Sequence, residues 1–67
     1  MDELTWEDAD EIAELLNEEH PDLDPLYDVS LTELHEWVLT LEGFTDDPEA
    51  SNEGLLEAIQ LAWNELK

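Results

Sequence analysis

The chain has 67 residues, and its 21 Asp and Glu stand against a single basic side chain, Lys67, for a formal net charge of −20. With no basic patch to neutralise phosphates, direct binding to DNA, RNA or an anionic membrane is excluded by the usual electrostatic route, and a cationic partner is the natural complement. A chain this short buries only roughly 60% of the surface its unfolded form exposes, so one small core forms, residues 1–67 make one domain, and any site lies on the surface.

Met1-Asp2-Glu3-Leu4 has neither the cationic start nor the apolar run of a signal peptide. No stretch approaches the ~18 apolar residues of a membrane span, and the expectation is a cytoplasmic protein. High net charge can signal disorder. Here apolar residues are 42%, with 13 Leu, three Trp, one Tyr and one Phe, which is enough to collapse into a fold. Cysteine is absent, so disulfides and thiolate metal sites are impossible.

The first helix is expected over about 7–19. Thr5 followed by Asp8 reads as a capping-box variant, and Ala9, Ile12, Ala13 and Leu16 recur at helical spacing with Leu15 beside them. It stops at His20-Pro21, because proline disfavours helical geometry in the residue before it. Pro21-Asp22-Leu23-Asp24-Pro25 reads as a rigid, largely extended turn, and residues 26–31 as irregular chain.

A second helix is expected over about 32–42, with Ser30 and Glu33 as a capping box and an apolar stripe of Leu34, Trp37, Val38 and Leu41. Gly43 reads as its C-terminal cap. The third helix is expected over about 48–66, capped by Asp47 or Ser51. Leu55, Ala58, Ile59, Ala62, Trp63 and Leu66 give it a broad apolar face, which makes it the central helix. Trp37 and Trp63 belong to the core; Trp6 is either a staple or an exposed anchor. Three short helices joined by turns make an all-α domain, a small three-helix unit of helix-turn-helix type.

The acidic face of the first helix is the most informative local feature. At 100° per residue, Glu7, Glu11, Glu14 and Glu18 fall within roughly 60°, with Asp10 just outside. Glu7 with Glu11, Asp10 with Glu14 and Glu14 with Glu18 are same-sign i,i+4 pairs, each destabilising by roughly 0.2–0.5 kcal/mol at low salt. A solvated face, a docking surface for a basic partner and adaptation to high salt are the three readings.

Asp22 and Asp24 form a second acidic group. An EF-hand register from Asp22 fails at Leu26, Tyr27 and the missing glycine turn, which leaves turn geometry or a weak hard-cation site. A third group is Asp46, Asp47, Glu49 and Glu53, where capping and the helix dipole account for Asp47 and Glu49. Oxygen ligands without cysteine or paired histidine would hold a divalent ion weakly. His35 reads as packing at a stripe edge and His20 as a helix end. No glycine-flanked nucleophile or phosphate-cradling loop is present, so the chain reads as a non-enzyme.

Several motifs together resemble the IscX (YfhJ) family. They are Leu4-Thr5-Trp6 with Asp8 and Glu11-Ile12; Pro21-Asp22-Leu23-Asp24-Pro25; Thr32 with His35 and Trp37; Asp46-Asp47-Pro48 leading to Ala50-Ser51-Asn52-Glu53; and Leu56-Glu57-Ala58-Ile59 with Trp63. The likeness runs from about Leu4 to Leu66. It implies a small helical fold related to the winged helix, and an acidic accessory of bacterial iron–sulfur cluster assembly. Such a protein binds a basic surface of the cysteine desulfurase, holds ferrous iron weakly and tunes cluster formation.

Carried over by position, the resemblance marks Asp8, Glu11, Asp22, Asp24, Asp46, Asp47, Glu53 and Glu57. Glu7, Asp10, Glu14, Glu18 and Glu19 add charge beyond the family pattern, and residues 26–30 run about one residue longer and lack its basic residue. The expected partner-binding set is Glu7, Asp8, Glu11, Glu14, Glu18, Asp22 and Asp24. The expected weak iron set is Asp22, Asp24, Asp46, Asp47, Glu53 and Glu57, with no tightly bound cofactor. The chain is expected to be a monomer that engages neither nucleic acid nor membrane. The alternative is a nucleic-acid mimic occupying a DNA-binding partner. Against it, nine of the 21 acids lie in residues 2–19 and only two beyond Glu53, which favours one docking face.

Overall fold

Leu4 is tied to a segment some forty residues further along the chain. Its N–H donates to the Gly43 carbonyl at 2.8 Å, and its carbonyl accepts from Thr45 N–H at 3.1 Å. In the computed structural model, which describes residues 3–67, this is an isolated parallel bridge between Leu4 and Phe44. The reading of Met1 and Asp2 as no part of a leader falls outside the described residues. Helices α1 (Ala9–Glu19), α2 (Leu31–Leu39) and α3 (Glu53–Glu65) follow in order, with one 3₁₀ turn (Pro48–Ala50) before α3. The all-α, three-helix class expected from the sequence is the observed one. The described residues contain no strand pair that would make a wing.

α1 ends at Glu19 as expected, and the other boundaries differ from expectation for local reasons. α1 starts at Ala9, not near 7, because Thr5 and Asp8 close a turn ahead of it. Asp8 Oδ2 accepts from Thr5 N–H at 3.0 Å and lies 3.3 Å from Thr5 Oγ1, while Asp8 N–H donates to the Thr5 carbonyl. Asp8 is the residue before the helix, but its side chain caps nothing in it. Glu7 is therefore outside α1, and the expected Glu7–Glu11 helical pair does not form.

α2 starts one residue earlier than expected, with Ser30 as its cap. Ser30 Oγ accepts from Glu33 N–H at 3.1 Å and Glu33 Oε1 accepts from Ser30 N–H at 3.3 Å, the reciprocal box read from the sequence. It ends at Leu39 and not at 42, where Thr40 donates both its N–H and its hydroxyl to the Trp37 carbonyl. Gly43 is not the helix cap; it sits in the following turn at φ 91°, a left-handed geometry that costs glycine little. Ser30→Ala is expected to lower stability by about 1 kcal/mol. In thermal unfolding a domain of this size should lose roughly 4–8 °C.

The expected third helix of 48–66 is two elements. Asp47 Oδ1 accepts from Glu49 N–H at 2.9 Å and caps only the 3₁₀ turn; the chain then extends through Ser51, and Asn52 Oδ1 caps α3 by accepting from Leu55 N–H at 2.9 Å. α3 is central, packing against both other helices and most extensively against α1. Its inward residues are Leu56, Ile59 and Trp63. Of the expected face, Ala58 and Leu66 are exposed, and Leu55 and Ala62 are half-buried.

One hydrophobic cluster joins Ile12, Ala13 and Leu16 of α1, Leu34 and Val38 of α2, and the α3 residues, with Leu4, Trp6, Val29 and Leu41 from the connections. Trp6 is only 1% exposed, so it is a core residue and not an exposed anchor. Trp37, expected in the core, is only half-buried, its ring stacked on His20 with centroids 4.2 Å apart. No described helix is long and apolar enough to cross a membrane.

Candidate functional site

The α1 period that turns Ile12 and Leu16 inward turns Glu11, Glu14 and Glu18 outward, and all three are exposed. They border a shallow recess of about 330 Å³ floored by Leu4 and Leu15. Glu42, in the turn after α2, completes its lining. Four acidic residues and two apolar ones thus share this recess. Lys67, the only Lys or Arg, does not line the recess; its Nζ donates to the Pro21 carbonyl at 2.6 Å, just beyond the end of α1. Such a recess suits a Lys or Arg side chain, whose aliphatic stem can cover Leu4 and Leu15 while its head meets carboxylates.

The remaining expected partner-binding residues are placed differently. Glu7 is exposed in the turn before α1. Asp8 is half-buried and its carboxylate serves Thr5, so its role is to shape the chain. Asp22 is exposed in the connection between α1 and α2, whereas Asp24 Oδ1 accepts from Leu26 N–H at 2.9 Å and Tyr27 N–H at 3.4 Å.

The six residues of the expected iron set are not drawn into one cluster. Among the described residues no group of three or more His, Asp or Glu is positioned to hold a metal ion. Asp46 is half-buried, with Oδ2 accepting from Trp6 N–H at 3.2 Å and Oδ1 from Asp47 N–H at 2.7 Å. Asp47 caps the 3₁₀ turn. Glu53 and Glu57 are exposed on α3, and Glu53 borders a second open recess of about 350 Å³ beside Leu31, Thr32, His35, Glu36 and Leu56.

Both histidines are engaged in packing. The His35 ring stacks on Trp6 with centroids 5.2 Å apart, and its Nε2 lies 2.9 Å from the Pro48 carbonyl oxygen. A carbonyl oxygen can only accept, so Nε2 is the donor there. His20 ends α1, its N–H donating to the Leu16 carbonyl at 2.8 Å. The residue that sequence reasoning missed is Glu42. It belongs to no helical stripe, and only the Leu4–Phe44 bridge, which ties its loop to the N-terminal segment, brings it to the α1 face.

Residues 4–67 match a family model described as iron-sulphur cluster assembly. The uncharacterized protein PA3808 of Pseudomonas aeruginosa is 50% identical over 62 residues, which cover 92% of each chain.

Proposed function

Because the chain belongs to the iron-sulphur cluster assembly family, we propose that it is a non-catalytic adaptor that presses its carboxylate-rimmed α1 face onto a basic surface of a cysteine desulfurase. The observation that carries this reading is the recess itself: Glu11, Glu14, Glu18 and Glu42 around Leu4 and Leu15, in a chain with a single cation. Long-range attraction between opposite charges speeds encounter and orients it, and added salt weakens both effects. As a monomer the adaptor leaves this face free.

Titration calorimetry with the purified desulfurase across a salt series tests the reading. Affinity should fall steadily from about 50 mM to 500 mM salt as the Debye length shrinks. No binding at low salt, or binding indifferent to salt, would refute it.

Ferrous iron enters as weakly held cargo. Exposed carboxylates such as Asp22, Glu53 and Glu57 are hard oxygen donors, and without thiolate or paired imidazole they exchange such an ion freely. Anaerobic Fe²⁺ titration followed by NMR should broaden amides near Asp22 or the 46–57 segment at high metal concentration only. Unchanged spectra at every acid of the set would remove iron from this protein's role.

A further inference from the structure

Tyr27 is the most exposed large apolar side chain among the described residues, at 85%, and its neighbour Leu26 is 39% exposed. Isolated exposed apolar residues are ordinary. What distinguishes this one is the platform beneath it. Asp24 Oδ1 accepts from the N–H of both Leu26 and Tyr27, Asp28 Oδ2 accepts from Asp24 N–H at 2.9 Å, and Asp28 N–H donates to the Asp24 carbonyl at 2.8 Å. Pro25 is fully buried under the turn, and its carbonyl accepts from Gln60 Nε2 of α3 at 2.7 Å. The backbone on both sides of Tyr27 is therefore fixed while its ring stands in solvent.

A preformed turn avoids the ordering cost that a loose loop incurs on binding. Tyrosine offers a large ring with few rotatable bonds and a polar tip, the properties that concentrate binding energy at interface centres. Charge selects the partner. Asp22, Asp24 and Asp28 share the segment that carries Tyr27, and Glu57 lies one turn before Gln60 on α3. An acidic surface or a nucleic acid would be repelled, while an Arg or Lys could lie over the ring and meet these carboxylates.

We propose that Tyr27 is an aromatic anchor that inserts into a recess lined by Arg or Lys on a basic protein partner, a second contact point in addition to the α1 carboxylates. This rests on the adaptor reading above and adds to it a desolvated aromatic contact that salt screens far less than exposed charge pairs.

The test compares the parent chain, Tyr27→Ala and Tyr27→Phe for desulfurase binding at low and high salt. Tyr27→Ala should weaken binding about tenfold or more at both salt levels, while Tyr27→Phe keeps most of the affinity. Thermal unfolding of Tyr27→Ala should match that of the parent, because the ring is solvent-exposed. As the only tyrosine, Tyr27 also gives one set of ring NMR signals, which should shift on complex formation. If the parent binds and Tyr27→Ala binds equally well, the anchor is wrong and the adaptor reading stands. If the parent does not bind, both fall.

Discussion

Trp6→Ala is expected to leave the domain largely unfolded at 25 °C. The indole is 1% exposed, meets Phe44 edge-on with centroids 4.8 Å apart, stacks on His35, and donates Nε1–H to the Asp47 carbonyl at 2.7 Å. Removing a buried Trp costs about 3–5 kcal/mol through lost burial and the cavity left behind. A domain of this length has roughly 3–10 kcal/mol in total at typical per-residue stability. The Asp47 carbonyl also loses its donor, so the segment carrying Asp46, Asp47 and Pro48 is left with only the backbone ties to the N-terminal segment, from Trp6 N–H to Asp46 Oδ2 and between Leu4 and residues 43 and 45. Urea unfolding followed by far-UV circular dichroism should show little or no folded baseline. Trp6→Phe keeps a ring in place but strands the carbonyl, at about 1–3 kcal/mol, and should unfold cooperatively at a lower midpoint. A Trp6→Ala midpoint equal to the parent's would contradict the core role assigned to this residue.

Trp6 also marks where local pattern reading ends. Helical periodicity found Ile12, Ala13, Leu16, Leu34 and Val38, all buried, and the Ser30–Glu33 spacing found a real capping box. Those signals act within one or two turns. Trp6 precedes its helix, and its partners Phe44 and Asp47 lie some forty residues away, so nothing in its neighbourhood distinguishes a staple from an exposed ring. The start of α3 was ambiguous for another reason. Asp47, Ser51 and Asn52 are all capable caps within one short stretch, and the outcome used Asp47 for the 3₁₀ turn and Asn52 for the helix. The helix register that follows turns Leu56 inward with Ile59 and Trp63. The acids of α1 were legible as a face because that face is helical; Glu42 was not, because its contribution depends on the Leu4–Phe44 bridge.

Glu14→Lys is expected to raise stability and weaken partner binding together, and this opposition separates the explanations of the acidic face. Residue 14 sits one turn from Asp10, Glu11 and Glu18 on α1 and borders the same recess as Glu42. In the parent, Asp10–Glu14 and Glu14–Glu18 are like-charged i,i+4 pairs, and Glu11–Glu14 is an i,i+3 pair. A lysine converts all three from repulsion to attraction. With each pair worth roughly 0.2–0.5 kcal/mol in either sense, the gain is about 1–3 kcal/mol at low salt. Thermal unfolding should show a rise of several degrees that shrinks as salt screens the charges. A merely solvated face, or one adapted to high salt, predicts this gain and nothing else. A docking face predicts in addition that a cation placed at its centre meets a basic partner as a like charge. Affinity for the desulfurase should then fall about tenfold or more at low salt, mostly through slower association. Glu14→Gln removes the repulsion without adding a cation and should fall between the two in both measurements. A Glu14→Lys chain that is more stable and binds as tightly as the parent would remove the α1 face from the interface.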